Sequence, residues 1–287
     1  MSSLMTDQTF RFFRTFAETH TGIVLDADKE YLVESRLVPV ARAHGFASLD
    51  AMAAALMKRL PGALNKEVQE ALTTNETSFF RDIHPFEMLR TVILPDVIAR
   101  RRNDRSLTIW CAAASTGQEP FSVAMLIREH FPDLVDWKIK FIATDLSRPV
   151  LARAREGLFS QLEVNRGLPA PLLVKYFTRQ GAQWQLREDI RQMVEFRELN
   201  LLERWPALGK CDVVMMRNVL IYFDVETKRE ILARCRELMP AHGYLMLGSA
   251  ETTLMIDNSL RRVTGHKGIA YQLTTDAPIG RGQLHVA

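Results

Sequence analysis

Small and acidic residues at the ends of apolar runs are the chemically suggestive feature of this chain. Residues 107–111 (LTIWC) predict a buried strand, and the six residues that follow, AAASTG, are all small. Glu119 and Pro120 then open a segment with apolar residues at helical spacing, and proline suits the first turn of a helix. Small side chains at the carboxyl end of a strand let a ligand lie close to the backbone, as in open α/β nucleotide sites. A turn that is small for packing alone is the alternative.

This turn lacks both the GxGxxG pattern of dinucleotide sites and the lysine of a P-loop. The sequence therefore argues against a dinucleotide or a nucleoside triphosphate as the ligand. It favours a nucleoside that carries an amino-acid arm, such as S-adenosylmethionine (SAM). Glu119 is then expected to face the ammonium group of that arm, and the alternative is a favourable interaction with the helix dipole.

A second predicted strand, residues 138–145, ends in Asp145. An acid at the tip of the second strand binds ribose hydroxyls in this type of fold. The alternative is that Asp145 caps the helix predicted at 149–156. Further along, Asn200 stands among leucines, where its amide is expected to hold adenine while a leucine covers the ring.

Residues 211–216 predict a central parallel strand, because the run is apolar on both faces. Arg217 and Asn218 follow at its carboxyl end, where ligands bind in open sheets, and Tyr222 comes just beyond. These polar residues therefore extend the predicted site.

The elements that must position these residues begin with a helical segment. Residues 7–72 predict four short helices, with Ser48 as an N-cap of the third. Residues 74–82 (TNETSFFRD) form either a capped linker or a lid that places Asn, Thr and Arg over the ligand, and a helix at 86–102 is bent at Pro95. Basic residues of the helical part either form a patch for an acidic partner or are ordinary solvated charges: Arg36, Arg42, Lys58, Arg59 and Lys66.

Residues 157–196 depart from the alternation of strands and helices. Segments at 184–187 and 193–196 alternate as strands and predict a small antiparallel insertion, with the second strand rejoining the main sheet. A fifth core strand is predicted at 243–248 and a last, antiparallel strand at 269–273. Together these elements predict an α/β fold.

Composition narrows the class of protein. The 287 residues are 47% hydrophobic and 25% charged, which suits one large or two modest soluble domains, and a net charge of +3 is too small to indicate nucleic acid. No apolar run reaches the roughly 18 residues of a membrane span, and the start lacks a signal-peptide pattern. We therefore expect a cytoplasmic protein without membrane insertion. The cysteines Cys111, Cys211 and Cys235 are expected to be buried free thiols, the histidines have no metal spacing, and the polar tail at 274–287 is expected to be mobile.

Five motifs occur in a recognisable order: TNETSFFRD, IWCAAASTGQEPFSVAM, ATDLS, NLL and RNVLIYFD. In this combination the chain resembles the chemotaxis-receptor glutamate O-methyltransferase (CheR) family, from about Thr15 to Leu273. The resemblance implies a class I SAM-dependent methyltransferase (Rossmann-like) sheet, an all-helical N-terminal domain at 1–74 and a methyltransferase domain at 75–287. It also implies a small antiparallel β-subdomain at about 175–197.

The resemblance also implies a set of site residues and a reaction. SAM is the expected cofactor, with S-adenosylhomocysteine (SAH) as product, and no metal is expected. Arg81 and Tyr222 are our candidates for holding the substrate carboxylate, so they are the expected catalytic residues. The positions that match the family's cofactor-binding residues are Asn75, Thr77, Arg81, Glu119, Asp145, Asn200, Leu201, Asn218 and Val219.

Members of the family methylate glutamate side chains on the cytoplasmic domain of chemoreceptors, and their N-terminal helices are thought to dock on the acidic receptor. Some members grip a pentapeptide at the receptor's C-terminus through the β-subdomain. The hairpin around Arg179 to Trp184 looks shorter here, so the resemblance does not support such a tether. A monomer is expected.

The expected chemistry needs no catalytic base. A free glutamate carboxylate has a pKa of about 4.3, so it is already ionised at neutral pH. The lack of a Ser-His-Asp or Cys-His pattern therefore fits methyl transfer to a carboxylate. A methyltransferase for a small molecule or nucleic acid, and a signalling module that binds SAM without catalysis, are the alternatives.

Overall fold

A seven-stranded sheet forms the centre of the computed structural model, which describes residues 5–58, 62–263 and 267–274. The strand order is β6-β2-β1-β7-β8-β10-β9, where the first five strands are parallel and β10 is antiparallel to both of its neighbours. A separate antiparallel sheet has the order β3-β5-β4. The strands are β1 (Ser106–Ala112), β2 (Lys138–Asp145), β3 (Leu158–Ser160), β4 (Phe177–Gln180), β5 (Gln183–Leu186), β6 (Glu195–Glu198), β7 (Val213–Met216), β8 (Tyr244–Leu247), β9 (Leu260–Arg262) and β10 (Ala270–Leu273).

Helices cover the sheet and form the N-terminal region. They are α1 (Asp7–Thr21), α2 (Glu30–Ala43), α3 (Leu49–Met57), α4 (Ala63–Leu72), α5 (His84–Met88), α6 (Leu94–Arg100), α7 (Gln118–His130), α8 (Arg148–Glu156), α9 (Gln161–Asn165), α10 (Ala170–Tyr176), α11 (Glu188–Arg191) and α12 (Val225–Leu238). A π-helical turn, Leu89–Ile93, joins α5 to α6, and short 3₁₀ turns occupy Pro132–Asp136 and Leu220–Tyr222. The predicted α/β sheet with an all-helical N-terminal part is therefore confirmed.

The N-terminal helices α1 to α4 have their own apolar core. Phe13, Leu37 and Met52 are buried at its centre, because each lies on the inward face of its helix. The predicted N-cap is present, since the Ser48 hydroxyl accepts a hydrogen bond from the Ala51 N–H, 3.1 Å away. The sequence predicts that this helix runs from Leu49 to Leu60 and is ended by Pro61 and Gly62. In the structure the helix ends at Met57, and residues 59–61 lie outside the described residues.

The bend predicted at Pro95 appears as the π-helical turn just before it. Proline has no N–H for the carbonyl four residues earlier, and a π-helical turn absorbs such a break without ending the helix. The helical path from α5 to α6 therefore continues to Arg100.

The small antiparallel sheet of the predicted fold is confirmed, with strands that differ from those expected. It includes Leu158–Ser160, which lies before the predicted range of 175–197, and its β4-β5 hairpin turns through Gly181 and Ala182. Glu195–Glu198 pairs in parallel with β2 at the edge of the main sheet, so the prediction that the segment at 193–196 rejoins that sheet is confirmed. Residues 275–287, the tail expected to be mobile, lie outside the described residues.

Within the described ranges, none of the helices combines the length and the apolar character that crossing a membrane requires.

Candidate active site

A cleft of about 880 Å³, counted with its open mouth, lies at the carboxyl ends of β1, β2 and β7. Parallel strands bring their carboxyl ends to one edge of the sheet, so residues far apart in the sequence meet there. The helical region closes one side through Thr21, Ile23, Thr73 and Thr74. The structure brings all the sequence-predicted site residues to this cleft: Asn75, Thr77, Arg81, Glu119, Asp145, Asn200, Leu201, Asn218, Val219 and Tyr222. Their individual roles remain predictions.

The small-residue turn after β1 has an unusual backbone. Ala113 and Ser115 have φ angles of 52° and 51°, in the left-handed region that residues other than glycine rarely adopt. Such a conformation persists only where its surroundings hold it. Here the Ser115 N–H donates to Asp145 Oδ2 at 2.8 Å, and its hydroxyl donates to the Asn75 carbonyl at 2.7 Å.

The small residues of this turn differ in what surrounds them: one is packed against neighbouring side chains, and others line the cleft. Gly117 has a φ of 92°, and a Cβ atom there would lie 2.9 Å from the Phe121 ring and 3.1 Å from Ala154 of α8, so both the backbone and the packing require glycine. Ala113, Ala114 and Ser115 line the cleft instead. Packing therefore accounts for the glycine, and a ligand close to the backbone at Ala113 to Ser115 stays a prediction.

Asp145 is 6% exposed at the tip of β2. Besides the bond from Ser115, its Oδ1 accepts the Ser147 N–H at 2.9 Å. Burial raises the pKa of Asp145, while these backbone N–H groups act in the opposite direction. The residue that precedes α8 as its N-cap is Ser147, so Asp145 does not have that position. Each carboxylate oxygen has a second lone pair, which suits hydroxyl donors such as those of a ribose.

Arg217, which the sequence places at the ligand-binding edge of the sheet without a specific role, lines the cleft. Its side chain is fully buried and pairs with Glu119 Oε2. Its Nη2 donates to the Arg81 carbonyl and to Asp82 Oδ2, both at 2.9 Å, and its guanidinium lies 5.6 Å from the centre of the Phe86 ring. The signal in the sequence was an arginine directly after an apolar strand, which is a costly place for an unpaired charge.

The segment that carries Arg81 is strained and anchored. Phe80, Asp82 and Ile83 have φ angles of 46°, 69° and 51°. Arg81 itself is half-buried, and its Nη1 donates to the Glu76 carbonyl at 3.3 Å. Because Arg217 bonds to residues 81 and 82, the buried arginine sets where the Arg81 side chain begins.

Tyr222 stands at the boundary between the sheet and the helical region. Its carbonyl accepts the Val24 N–H at 2.9 Å, and its ring packs against the helical core. Gly22, with φ 73°, leaves room for the neighbouring Phe223, because a Cβ there would lie 2.8 Å from the Phe223 ring. The helical region therefore helps to position one of the expected catalytic residues.

Asn200 uses both polar atoms of its amide within the protein. Its Nδ2 donates to the His20 carbonyl at 2.9 Å, and its Oδ1 accepts the Leu202 N–H at 3.0 Å. These bonds tie the loop that carries Leu201 to the end of α1. The sequence predicts that this amide faces adenine. In the structure the amide also holds the loop in place.

The basic residues of the helical region are partly committed to internal contacts. Arg36 donates to the Leu72 carbonyl at 2.6 Å and to the Thr74 hydroxyl at 2.8 Å, and burial lowers its pKa. Lys66 pairs with Glu198 at 3.3 Å, whereas Lys58 is exposed, and Arg59 lies outside the described residues. Arg36 therefore supports the cleft wall as well as adding positive charge.

The described part of the chain contains no group of three metal-ligating side chains. The three cysteines are buried free thiols, as expected, and burial raises the pKa of each.

A parallel sheet with one antiparallel strand, a small-residue turn after β1 and an acid at the tip of β2 define the class of a SAM-dependent methyltransferase of class I. Family comparison agrees. The model of the "CheR methyltransferase, SAM binding domain" matches residues 75–269, and that of the "CheR methyltransferase, all-alpha domain" matches residues 8–73. The chain belongs to the CheR methyltransferase family, and its cofactor is SAM.

Similar proteins cover almost the whole chain. Chemotaxis protein methyltransferase 1 of Pseudomonas aeruginosa is 41% identical over 92% of this chain and 97% of its own length. Chemotaxis protein methyltransferase Cher2 of Pseudomonas putida is 39% identical over the same shares of the two chains. Among solved structures, the glycopeptide N-methyltransferase MtfA complexed with SAM has 18% identity and a TM-score of 0.33 over 60% of this chain and 57% of that chain. The last likeness is too distant to bear on the site.

The residues of the cleft suit SAM on chemical grounds. Asp145 offers acceptors to ribose hydroxyls, and Glu119 offers an anion to the ammonium of a methionine arm. The small residues from Ala113 to Ser115 leave the backbone accessible along the same wall. Asp145, Glu119 and the small-residue turn therefore suit the ribose and the amino-acid arm of the cofactor.

Proposed function

We propose that this protein transfers a methyl group from SAM to glutamate side-chain carboxylates of the cytoplasmic part of chemoreceptors. The product is a glutamate methyl ester, which serves sensory adaptation. When bound, SAM supplies an electrophilic methyl group on a positively charged sulfur. The observation that carries the proposal is that Arg81 and Tyr222 line the same cleft as the acids Glu119 and Asp145.

The cleft favours a nucleophile that needs no deprotonation. Among the described residues that line it, none is histidine, lysine or cysteine. Each of its three acids has an internal partner: Glu76 pairs with Arg166, Glu119 pairs with Arg217, and Asp145 accepts two backbone N–H groups. A carboxylate is ionised at neutral pH, whereas an amine or an alcohol must lose a proton. This difference supports a carboxyl group over an amine or an alcohol as the methyl acceptor.

Arg81 and Tyr222 supply donors for a carboxylate. Within the described part of the chain, Arg81 uses one of its N–H groups, and the Tyr222 hydroxyl has no hydrogen-bond partner. A tight bidentate pair would stabilise the ground state and weaken the nucleophile. We therefore expect these residues to hold the carboxylate through one oxygen while the other attacks. Alignment of this kind contributes up to about 7–11 kcal/mol in favourable cases.

The partner is inferred from the names of the relatives and from the shape of the small sheet. Relatives that match nearly the whole chain are named chemotaxis protein methyltransferases, which supports a chemoreceptor as the substrate. The two-residue turn of the β4-β5 hairpin, Gly181 and Ala182, leaves little loop to grip an extended peptide. We therefore propose that the receptor is recognised through its methylated helices in the cytoplasm and not through a C-terminal pentapeptide.

The first experiment tests the substrate. The protein is incubated with methyl-labelled SAM and a chemoreceptor cytoplasmic fragment, and the labelled receptor is treated with alkali. Release of the label as methanol is expected, because carboxyl esters are alkali-labile. An alkali-stable product would favour another nucleophile and would contradict the proposal.

The second experiment tests Arg81. Arg81→Ala is expected to abolish methylation of the receptor fragment, because the carboxylate loses its charged donor. Arg90→Ala is the matched control, since Arg90 is an exposed arginine outside the cleft, and it is expected to methylate normally. Near-normal turnover by Arg81→Ala would remove Arg81 from the site.

The third experiment separates cofactor binding from turnover. Calorimetric titration with SAM and SAH is expected to show binding by the wild type and its loss in Asp145→Ala. A folded wild type that binds neither ligand would refute the methyltransferase assignment. Binding without turnover on any receptor would instead favour a signalling module.

A further inference from the structure

One buried carboxylate holds the loop that follows β7. Four consecutive backbone N–H groups, those of residues 218–221, donate to Glu251. Oε2 accepts from Asn218 at 2.8 Å, and Oε1 accepts from Val219 at 2.9 Å, from Leu220 at 2.6 Å and from Ile221 at 3.3 Å. The Gly248 N–H adds a further bond to Oε2 at 2.6 Å.

These amides take the place of water around the Glu251 charge. The residue is 5% exposed, and no salt bridge involves it in the described parts of the chain. Successive backbone N–H groups that converge on one point form a cradle for an anion, and a carboxylate with several such bonds is well solvated inside a protein. The cradle is therefore filled from within by a side chain that lies 30 or more residues away in the sequence.

The loop held in this way carries residues of the cleft. Asn218 has a φ of 58°, in the left-handed region, and Asn218, Val219 and Tyr222 line the cleft. Glu251 itself does not line it. We infer that Glu251 is a positioning residue of the cofactor site: its carboxylate sets the backbone that directs Asn218 and Val219 toward SAM. The effect on Tyr222 and on turnover rests on the proposed function, whereas the effect on cofactor binding does not.

Gly248 shows how closely the parts fit. A Cβ atom at this position would lie 2.8 Å from both Asn218 Nδ2 and Glu251 Oε2. A methyl group there would therefore push the Asn218 side chain and the carboxylate apart. Gly248→Ala thus perturbs the same contact from the opposite side without changing the residue at position 251.

Glu251→Gln is the direct test. The amide keeps one acceptor and places two N–H donors where backbone N–H groups already point, so the loop must shift. SAH affinity, measured by calorimetry, is expected to fall at least about tenfold, and kcat at saturating SAM is expected to fall as well.

Asp212→Asn is the matched control. Asp212 is 2% exposed and lies at the other end of β7, where it accepts from Arg101 Nε at 2.8 Å and from the Thr108 N–H at 2.9 Å. Its substitution also removes a buried carboxylate but leaves the loop untouched. Both variants are expected to lower the Tm, and Asp212→Asn is expected to keep its SAH Kd within twofold.

Three outcomes would overturn the inference. The first is a folded Glu251→Gln variant that binds SAH within twofold of the wild type. The second is an equal loss of affinity in Asp212→Asn, which would show general destabilisation. If Glu251→Gln does not fold, Gly248→Ala decides: a tenfold loss supports the inference, and unchanged affinity refutes it. Because SAH binding needs no receptor, a wild type that methylates no receptor would refute the proposed function alone.

Discussion

Replacing Arg217 by methionine tests how the cleft holds its charges. The substitution keeps a long side chain of similar shape but removes the cation that pairs with Glu119 and Asp82. Glu119 is 12% exposed in its side chain, and among the described residues it would keep only the Cys111 S–H, 3.3 Å away, as a side-chain donor. Removing one partner of a buried pair leaves a buried charge uncompensated, which costs about 3–5 kcal/mol. The pair with Asp82 adds little, because the Asp82 side chain is 38% exposed.

We therefore expect Arg217→Met to destabilise the protein by about 4 kcal/mol. For a chain of this size the Tm should fall by about 8–16 °C, as followed by calorimetry or by the fluorescence of the buried Trp110. The double variant Glu119→Gln/Arg217→Met should recover about 2 kcal/mol of that loss, because the unpaired charge is gone. Arg100→Met is the control, since Arg100 forms an exposed pair with Asp96, and its effect should stay within about 0.5 kcal/mol.

Two results would refute this reasoning. If the free energy of unfolding of Arg217→Met lies within about 1 kcal/mol of the wild-type value, the loss of Arg217 does not leave a costly buried charge on Glu119. If Glu119→Gln fails to relieve the loss, the cost comes from the packing over Phe86 or from the bond to the Arg81 carbonyl.

Three further predictions concern other parts of the molecule. Gly22→Ala should lower the free energy of unfolding, measured in urea, by about 2–4 kcal/mol and weaken SAH binding, because a left-handed φ and a contact of 2.8 Å with Phe223 both oppose a methyl group. An unchanged urea midpoint would contradict this prediction. Burial raises the pKa of Asp145 above its value in the unfolded chain, so the folded protein binds this proton more tightly. The bound proton therefore stabilises the folded state fully below about pH 4, and this stabilisation is lost as the pH rises through the folded-state pKa. Asp145→Asn should remove that part of the dependence of Tm on pH, and identical curves would refute it. Burial raises the pKa of the Cys111 and Cys235 thiols, so alkylation by iodoacetamide at pH 8 should be slow in the native protein and fast in urea, with rapid native labelling as the contrary result.

Much of the candidate site could be predicted because its residues occupy strand ends. Asp145 and Asn218 each follow an apolar run, and a parallel sheet gathers such positions at one edge. Local sequence patterns also predict the turn that contains Ala113 and the helix start at Glu119. Periodicity does not single out Asn75: the local sequence left residues 74–82 as either a linker or a lid, and the family resemblance favoured a place in the cofactor site.

The sequence by itself determined the sheet, the helical N-terminal region and the residues at the edge where they meet, since these follow from local hydrophobic periodicity. Only the tertiary structure decided which of those residues hold one another. Arg217 meets Glu119 across 98 residues, and Glu251 meets Asn218 across 33. The physical reason is that a buried charge must find its partner in space, and nothing in the local pattern around Arg217 or Glu251 specifies which distant group the folded chain will bring to it.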